Sequence, residues 1–372
     1  MAVPDVKEYG FRPSLAATAA GVIALMRLGT DDTGKCSDGR HSAPSSSNRQ
    51  ETPLWCVVSD AEVTAGTGIT SDWPVNRLVR ILLLMQPDQE VISVWRDSAP
   101  FWEKHREIIR QMFAPVTQAL VEDGLIGSRH AVLDIATGPG EPALTIAALV
   151  GPEGKVFGID SAPEMVEAAR RATDHLEFRN AQFDIASADH LPFPADTLDA
   201  VVSRFGVMFF PSPVDAVREM LRVLKPGRKL ALAAWHFAER NPFFYTLQRV
   251  IERYVDSPSP SPAPDAADPF RFATPGKLRD LLGEAGAMVP SERLLQFTIQ
   301  APISVEDFWT LRCEMSEKIR EKIAMLSREQ LTEVRRQSLE ALRGYSTDRG
   351  MSFPAEVLIV SGTKNRPTSS NH

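Results

Sequence analysis

An α/β domain with a mostly parallel sheet is predicted by three features of the sequence. Short apolar runs alternate with helical periods from Val91 onward, and parallel strands need a crossover helix between them. One apolar run passes directly into a glycine-rich turn that opens a helix, and an acid, Asp160, ends the strand after it. A 372-residue chain with 43% hydrophobic and 24% charged residues can also bury the core such a sheet needs, which excludes disorder throughout.

Taken in order, the first strand is Ala131–Ala136, followed by Gly138-Pro139-Gly140 and a helix over Glu141–Val150 that Gly151-Pro152 stops. Lys155–Ile159 is the second strand. Ser161 and Glu164 form a capping box, with Pro163 in the first turn, for a helix to Ala172. Leu176–Phe183 is the third strand and Leu198–Ser203 the fourth. Ser212 caps a helix whose apolar face carries Val214, Val217, Met220, Leu221 and Leu224, and Pro226-Gly227 ends it before a fifth strand, Leu230–Trp235. A helix from Asn241 to Tyr254 gives way to a polyproline-leaning loop at Ser257–Pro262. Lys277–Ala285 is helical and Arg293–Ile299 a strand. Val305–Leu342 is largely helical, with Phe308, Leu311, Met315, Ile319 and Ile323 on one face, and Glu356–Ser361 is the final strand.

Charge and cysteine content narrow the function classes. The 41 basic and 48 acidic residues give a net charge of -7, so nothing attracts the whole chain to nucleic acid. Cys36, Cys56 and Cys313 form neither a CxxC pair nor a zinc set, which suits a reducing cytoplasm and no metal. No apolar run reaches the roughly 18 residues of a membrane span. Leu15–Met26 imitates a signal peptide, but Asp5 and Glu8 spoil its basic flank. Residues 1–86 read as a disordered or weakly ordered extension, in which Trp73–Met85 is a short basic amphipathic stretch and Met85 an alternative start.

The chemistry concentrates at the turn after the first strand. Gly138 and Gly140 let the backbone approach a ligand closely, and the amides of the helix that follows point at a negative group. Asp160, at the carboxyl edge of the sheet, is placed to accept both hydroxyls of a ribose, so the ligand contains a nucleoside. Two cofactors fit that description. Gly138, Gly140 and Ala143 satisfy the loose dinucleotide fingerprint of an NAD(P)-dependent oxidoreductase. Asp134 argues for the other, because an acid there can meet an ammonium, directly or through water, and S-adenosyl-L-methionine carries one.

Four segments in order resemble one family. Asp134-x-Ala136-x-Gly138-x-Gly140 is similar to its acid-x-Gly-x-Gly-x-Gly turn, with Ala136 in place of the first glycine. Gly158-Ile159-Asp160-Ser161 with Glu164-Met165 is like its ribose element, Ser187-Ala188-Asp189-His190-Leu191-Pro192-Phe193 like its adenine segment, and Leu224-Lys225-Pro226-Gly227 like the turn before its fifth strand. On these motifs the chain resembles a class I S-adenosylmethionine-dependent methyltransferase of the broad UbiE-like group. The resemblance implies a Rossmann-like seven-stranded sheet with an antiparallel last strand and a helical lid insert. It implies a domain over 87–364, with a cofactor-binding core at 128–236 and an acceptor-side insert at 304–345, leaving 365–372 as a tail. The implied cofactor set is Asp134, Ala136, Gly138, Gly140, Asp160, Ser161, Met165, Ser187, Ala188, Asp189 and Ser203. Ser187 stands where the family often has an acid, and Arg228 replaces a second glycine after Gly227.

The implied reaction is methyl transfer to a small acceptor, for which a general base is optional. His236, after the fifth strand, is the base candidate, set against a histidine merely hydrogen-bonded at a strand end; Arg204, after the fourth, is either an anchor for an anion or one half of a structural ion pair. Phe205, Met208, Phe209 and Phe210 belong to core or acceptor pocket. Trp95, Phe101, Trp102 and His105 lie on a helix where related enzymes carry a lid, and the insert with Trp309, Arg312, Cys313, Glu314 and Met315 forms a second wall. A binding protein that retains the fold without transferring a methyl group is the alternative from another class.

Overall fold

Five apolar runs form the parallel half of one sheet in a computed structural model that describes residues 91–255 and 266–366. They are β1 (Ala131–Ile135), β2 (Lys155–Asp160), β3 (Ala181–Ile185), β4 (Leu198–Arg204) and β5 (Leu224–Trp235). Strands buried on both faces need continuous rather than alternating apolar sequence, and β4, Leu-Asp-Ala-Val-Val-Ser-Arg, is buried at every position but the last. Two long strands, β6 (Met288–Ala301) and β8 (Gly350–Thr363), and a two-residue β7 (Ser346–Thr347) complete the sheet. The order is β3-β2-β1-β4-β5-β8-β6, with β7 paired to β8. β8 runs antiparallel to both β5 and β6. The expected seven-stranded path is present, with β7 as an eighth strand.

The connecting helices are α1 (described over 91–104), α2 (Arg106–Met112), α3 (Ala114–Asp123), α4 (Ala143–Val150), α5 (Pro163–His175), α6 (Pro213–Val223), α7 (Pro242–Ile251) and α8 (Lys277–Glu284). Helices α3 to α6 pack on the parallel strands and α8 on β6. The insert folds as α9 (Val305–Met315), α10 (Glu317–Ala324) and α11 (Arg328–Arg343), with α9 and α11 against each other and α7 against α11. The expected extension 1–86, the loop Ser257–Pro262 and all but the first two residues of the tail lie outside the described residues. Among the described residues no helix is long and apolar enough to cross a membrane.

Local chemistry explains where the elements depart from the sequence reading. Leu176 and Phe178 are spent on closing α5, their N–H groups bonding to Ala172 and Thr173 carbonyls, so β3 starts later, at Ala181. Ser161 makes no capping box; Asp160 Oδ1 instead accepts the N–H of the N-cap residue Ala162 (3.0 Å). Ser212 sits at the N-cap of α6, but its hydroxyl donates to Asp215 rather than accepting a backbone N–H. Pro226-Gly227 lies within β5, taken up by the register shift against Leu198 and Ala200. Arg228 pairs with Asp199, beside Lys225, each at 3.0 Å. The insert is three helices because Ser316 and Ser327 each cap a new one, Ser327 with a complete capping box to Gln330.

Candidate functional site

The turn after β1 takes its shape from three left-handed residues, Ala136 (φ 56), Gly138 (φ 56) and Gly140 (φ 102). An L-residue in that region costs roughly 1–2 kcal/mol, so alanine at 136 keeps the turn under strain where a glycine would relieve it. A Cβ added at Gly138 meets nothing within 4 Å, so the backbone there faces open space. The turn after β4 must pass close by: a Cβ on Gly206 would stand 2.5 Å from that of Ala136 and 2.7 Å from Ser203 Oγ. Asp160 joins two turns, its Oδ2 accepting the Gly138 N–H at 2.9 Å and its Oδ1 the Ala162 N–H. Burial pushes its carboxyl above the ordinary aspartate value, against the pull of those N–H groups.

The loops at the carboxyl edge of β1 to β5 open onto a cavity of about 1150 Å³. Ligand sites of open α/β sheets lie at this edge. Eight of the expected cofactor residues lie on its wall: Ala136, Gly138, Asp160, Ser161, Met165, Ser187, Ala188 and Asp189. The Ser187 hydroxyl, in place of the family's frequent acid, donates to Asp189 Oδ1. Thr137 and Glu141 join this wall without having been singled out by sequence.

Three members of the expected set stand behind the wall instead. Asp134 is fully buried; its Oδ2 accepts from Thr137 Oγ1 (2.7 Å) and the Ala143 N–H (3.2 Å), and its Oδ1 has no partner. Burial pushes this carboxyl up to about 7, opposed by the Thr137 hydroxyl and the Arg204 charge. In this structure Asp134 props the turn from beneath. Ser203 is likewise buried, donating to the Ile135 carbonyl at 2.8 Å, which ties β4 to β1. Gly140 is spent inside the turn, its N–H on the Thr137 carbonyl and its α-carbon against Leu144.

The base candidate stands apart from the cavity. His236 is not on the cavity wall; its Nδ1 lies 2.8 Å from Glu356 Oε2 of β8. Side chains alternate along a strand, so with Trp235 turned into the cavity the next residue turns away. Arg204 does reach the wall, but donates to Thr117 Oγ1 (2.9 Å) and the Glu141 carbonyl (3.1 Å), and thereby braces α3 against the turn. Burial lowers its pKa, opposed by the Glu141 and Asp134 charges.

The opposite wall is aromatic. Phe205 stacks on Trp235 with centroids 4.4 Å apart, Phe244 meets Trp235 edge-on at 4.8 Å, and Phe243 joins Phe113, Phe308 and Phe353 beneath. Arg312 and Met315 of α9 and Ile319 of α10 extend this wall. Cys313, with its thiol pushed up to about 12 by burial, and Trp309 are not on it. From α1, Trp95 and Trp102 line the cavity, and Trp95 packs edge-on to Phe209 at 5.1 Å. Glu314 fastens this segment to α9, meeting His105 Nε2 at 2.6 Å and Lys104 Nζ at 2.8 Å. Burial pushes the Glu314 carboxyl up, but those two partners outweigh it and hold it below the usual glutamate value.

With this geometry in view, residues 132–227 match a family described as a methyltransferase domain. Demethylmenaquinone methyltransferase of Listeria welshimeri is 36% identical over 100 residues, 27% of this chain and 42% of that protein. The ubiquinone/menaquinone biosynthesis C-methyltransferase UbiE of Ectopseudomonas mendocina is 43% identical over 100 residues, 27% of this chain and 39% of that one. Over these residues the chain is similar to S-adenosylmethionine-dependent methyltransferases of the UbiE-like group. The chain spans about two fifths of the length of the curated relatives it matches. Among solved structures, the YcgJ protein of Bacillus subtilis is similar at 21% identity and a TM-score of 0.44, over 67% of this chain and 98% of that one. The methyltransferase-domain match contains Asp134 to Lys225, hence the Asp160 wall of the cavity, and ends before Trp235 and α7 to α11.

Proposed function

We propose that this protein transfers a methyl group from S-adenosyl-L-methionine to a small lipophilic acceptor with an aromatic ring. The observation that carries the reading is Asp160: a half-buried carboxylate at the end of β2, bonded to the Gly138 N–H and lining the same cavity wall as Ser187–Asp189. The empty space over the Gly138 α-carbon, which a side chain would fill, fits close approach of a bulky ligand to the backbone. Asp160 would hold the ribose, Ser187 to Asp189 the adenine edge, and the turn at 136–138 the amino-acid end, braced by Asp134.

The bound cofactor supplies an electrophilic methyl on a sulfonium. Displacement there needs the acceptor atom in line, so the protein's task is alignment and exclusion of water. Phe205, Trp235, Phe243 and Phe244 line the cavity as an aromatic wall against which an aromatic acceptor can pack. With His236 paired to Glu356, this reading assigns no proton transfer to the histidine, and a hydroxyl acceptor would give up its single proton to solvent before transfer. The relatives' names supply the finer suggestion of a quinone-type acceptor.

Incubating the full chain with S-adenosyl-L-methionine and a panel of hydroxylated aromatic acceptors should release S-adenosylhomocysteine with at least one of them. Cofactor binding with no release over the panel contradicts transfer and favours the non-catalytic binding protein; binding of NADH alone favours the oxidoreductase.

A further inference from the structure

We infer that Arg312 is the anchor for a carboxylate on the acceptor, which makes the acceptor an anionic aromatic acid; this rests on the methyl-transfer reading above.

Among the described residues, Arg312 is a buried cation with no acid paired to it. Its side chain is 5% exposed, it lines the cavity, and its guanidinium lies over the Phe243 ring at 4.2 Å and over Phe244 at 5.5 Å. Its Nε is buried without a hydrogen-bond partner, and among the described residues no carboxylate pairs with it. The neighbouring acid, Glu314, is turned away to Lys104 and His105. Burial lowers the Arg312 pKa to about 10, which still leaves it charged at neutral pH.

Of the other cations lining the cavity, Arg106 of α2 is only half-buried, so water can solvate it as it cannot Arg312, and the remaining three are engaged. Lys318 meets Asp268 at 3.3 Å, Lys322 meets Glu252 at 3.1 Å, and Arg204 is bonded to Thr117 and the Glu141 carbonyl. Removing a guanidinium from water without a counter-charge is strongly unfavourable, and two ring faces recover only part of that. Its donors are left for a ligand. The planar fork matches a carboxylate in a two-bond arrangement, and a single cation suits one negative charge better than a phosphate dianion. The rings beneath it supply the bed for an aromatic body attached to that carboxylate.

The test is calorimetry on the full chain, free and loaded with S-adenosylhomocysteine, using 2-naphthoate and its neutral isostere 2-naphthamide as probes. The wild type should bind the carboxylate about tenfold or more tightly than the amide, the scale of hydrogen bonds to a charged group. Arg312→Met should lose that preference while still binding S-adenosylhomocysteine as the wild type does, and Arg312→Lys, which keeps the charge but not the fork, should retain part of it. No preference in the wild type, no binding of the carboxylate, or an unchanged preference in Arg312→Met overturns the assignment. The wild-type comparison decides by itself if Arg312→Met fails to fold. Failure of S-adenosylhomocysteine to bind overturns the methyl-transfer reading instead, and the naphthoate preference of the free protein then judges the anion site alone.

Discussion

The two walls of the cavity are built on different principles. On the Asp160 side, the contacts are backbone: N–H groups of Gly138 and Ala162 on one carboxylate, with chain direction fixed by left-handed residues at 136 and 138. On the acceptor side, residues distant in sequence converge, Phe205 and Trp235 from strand ends, Phe243 from α7 and Arg312 from α9, and the contacts are ring against ring or ring against cation. A wall of the first kind is specified by a short stretch of chain and tolerates little change in it. A wall of the second kind is part of the hydrophobic core, so its identity and the protein's stability are the same property.

The largest expected effect probes that overlap. Phe243→Ala removes a ring that packs on Phe113, Phe244, Phe308 and Phe353 and underlies Arg312, and should lower unfolding free energy by about 3–5 kcal/mol in urea denaturation. The folded fraction should still bind S-adenosylhomocysteine with near wild-type affinity; a large loss of binding would mean the two walls are not separable. Asp160→Ala should do the reverse, weakening S-adenosylhomocysteine by about 1.5–3 kcal/mol, roughly 10- to 150-fold in calorimetry, with the naphthoate preference intact.

A smaller effect sharpens the role of Asp134. Its folded pKa of about 7 lies above the ordinary value near 3.9, so the fold favours the neutral carboxyl. That stabilisation is fully present below about pH 4 and is lost as pH rises through about 7. Asp134→Asn mimics the neutral form, and should therefore gain in Tm relative to the wild type on going from about pH 5 to about pH 8. Two pH units below that pKa correspond to about 2.7 kcal/mol, so the difference should be roughly 5–10 °C at about 2–4 °C per kcal/mol for a domain of this size. A difference independent of pH would show that the carboxylate is not burdened by burial.

The contrast also explains what the sequence made legible. Glycines and a strand-end acid act within a few residues of themselves, so the turn at 136–140 and the place of Asp160 could be read directly, whereas the order of the sheet came from the family resemblance. The misplacements are side-chain directions. Ser203 and Asp134 lie on the expected strands but point beneath the wall, and His236 follows the expected strand but turns to Glu356, a partner 120 positions away. Trp235 carried a usable signal, as a large aromatic residue ending a buried strand at the ligand edge. The sequence placed Arg312 in the second wall, but its lack of a paired acid among the described residues could not be read there, because that is a property of three-dimensional neighbours.

Titration of the full chain with S-adenosylhomocysteine and, separately, with NADH tests the central claim most directly. One molecule of S-adenosylhomocysteine bound per chain, with the heat abolished or strongly reduced in Asp160→Ala and none from NADH, is the result this account predicts. NADH binding in its place, or S-adenosylhomocysteine binding that ignores the loss of Asp160, would contradict it.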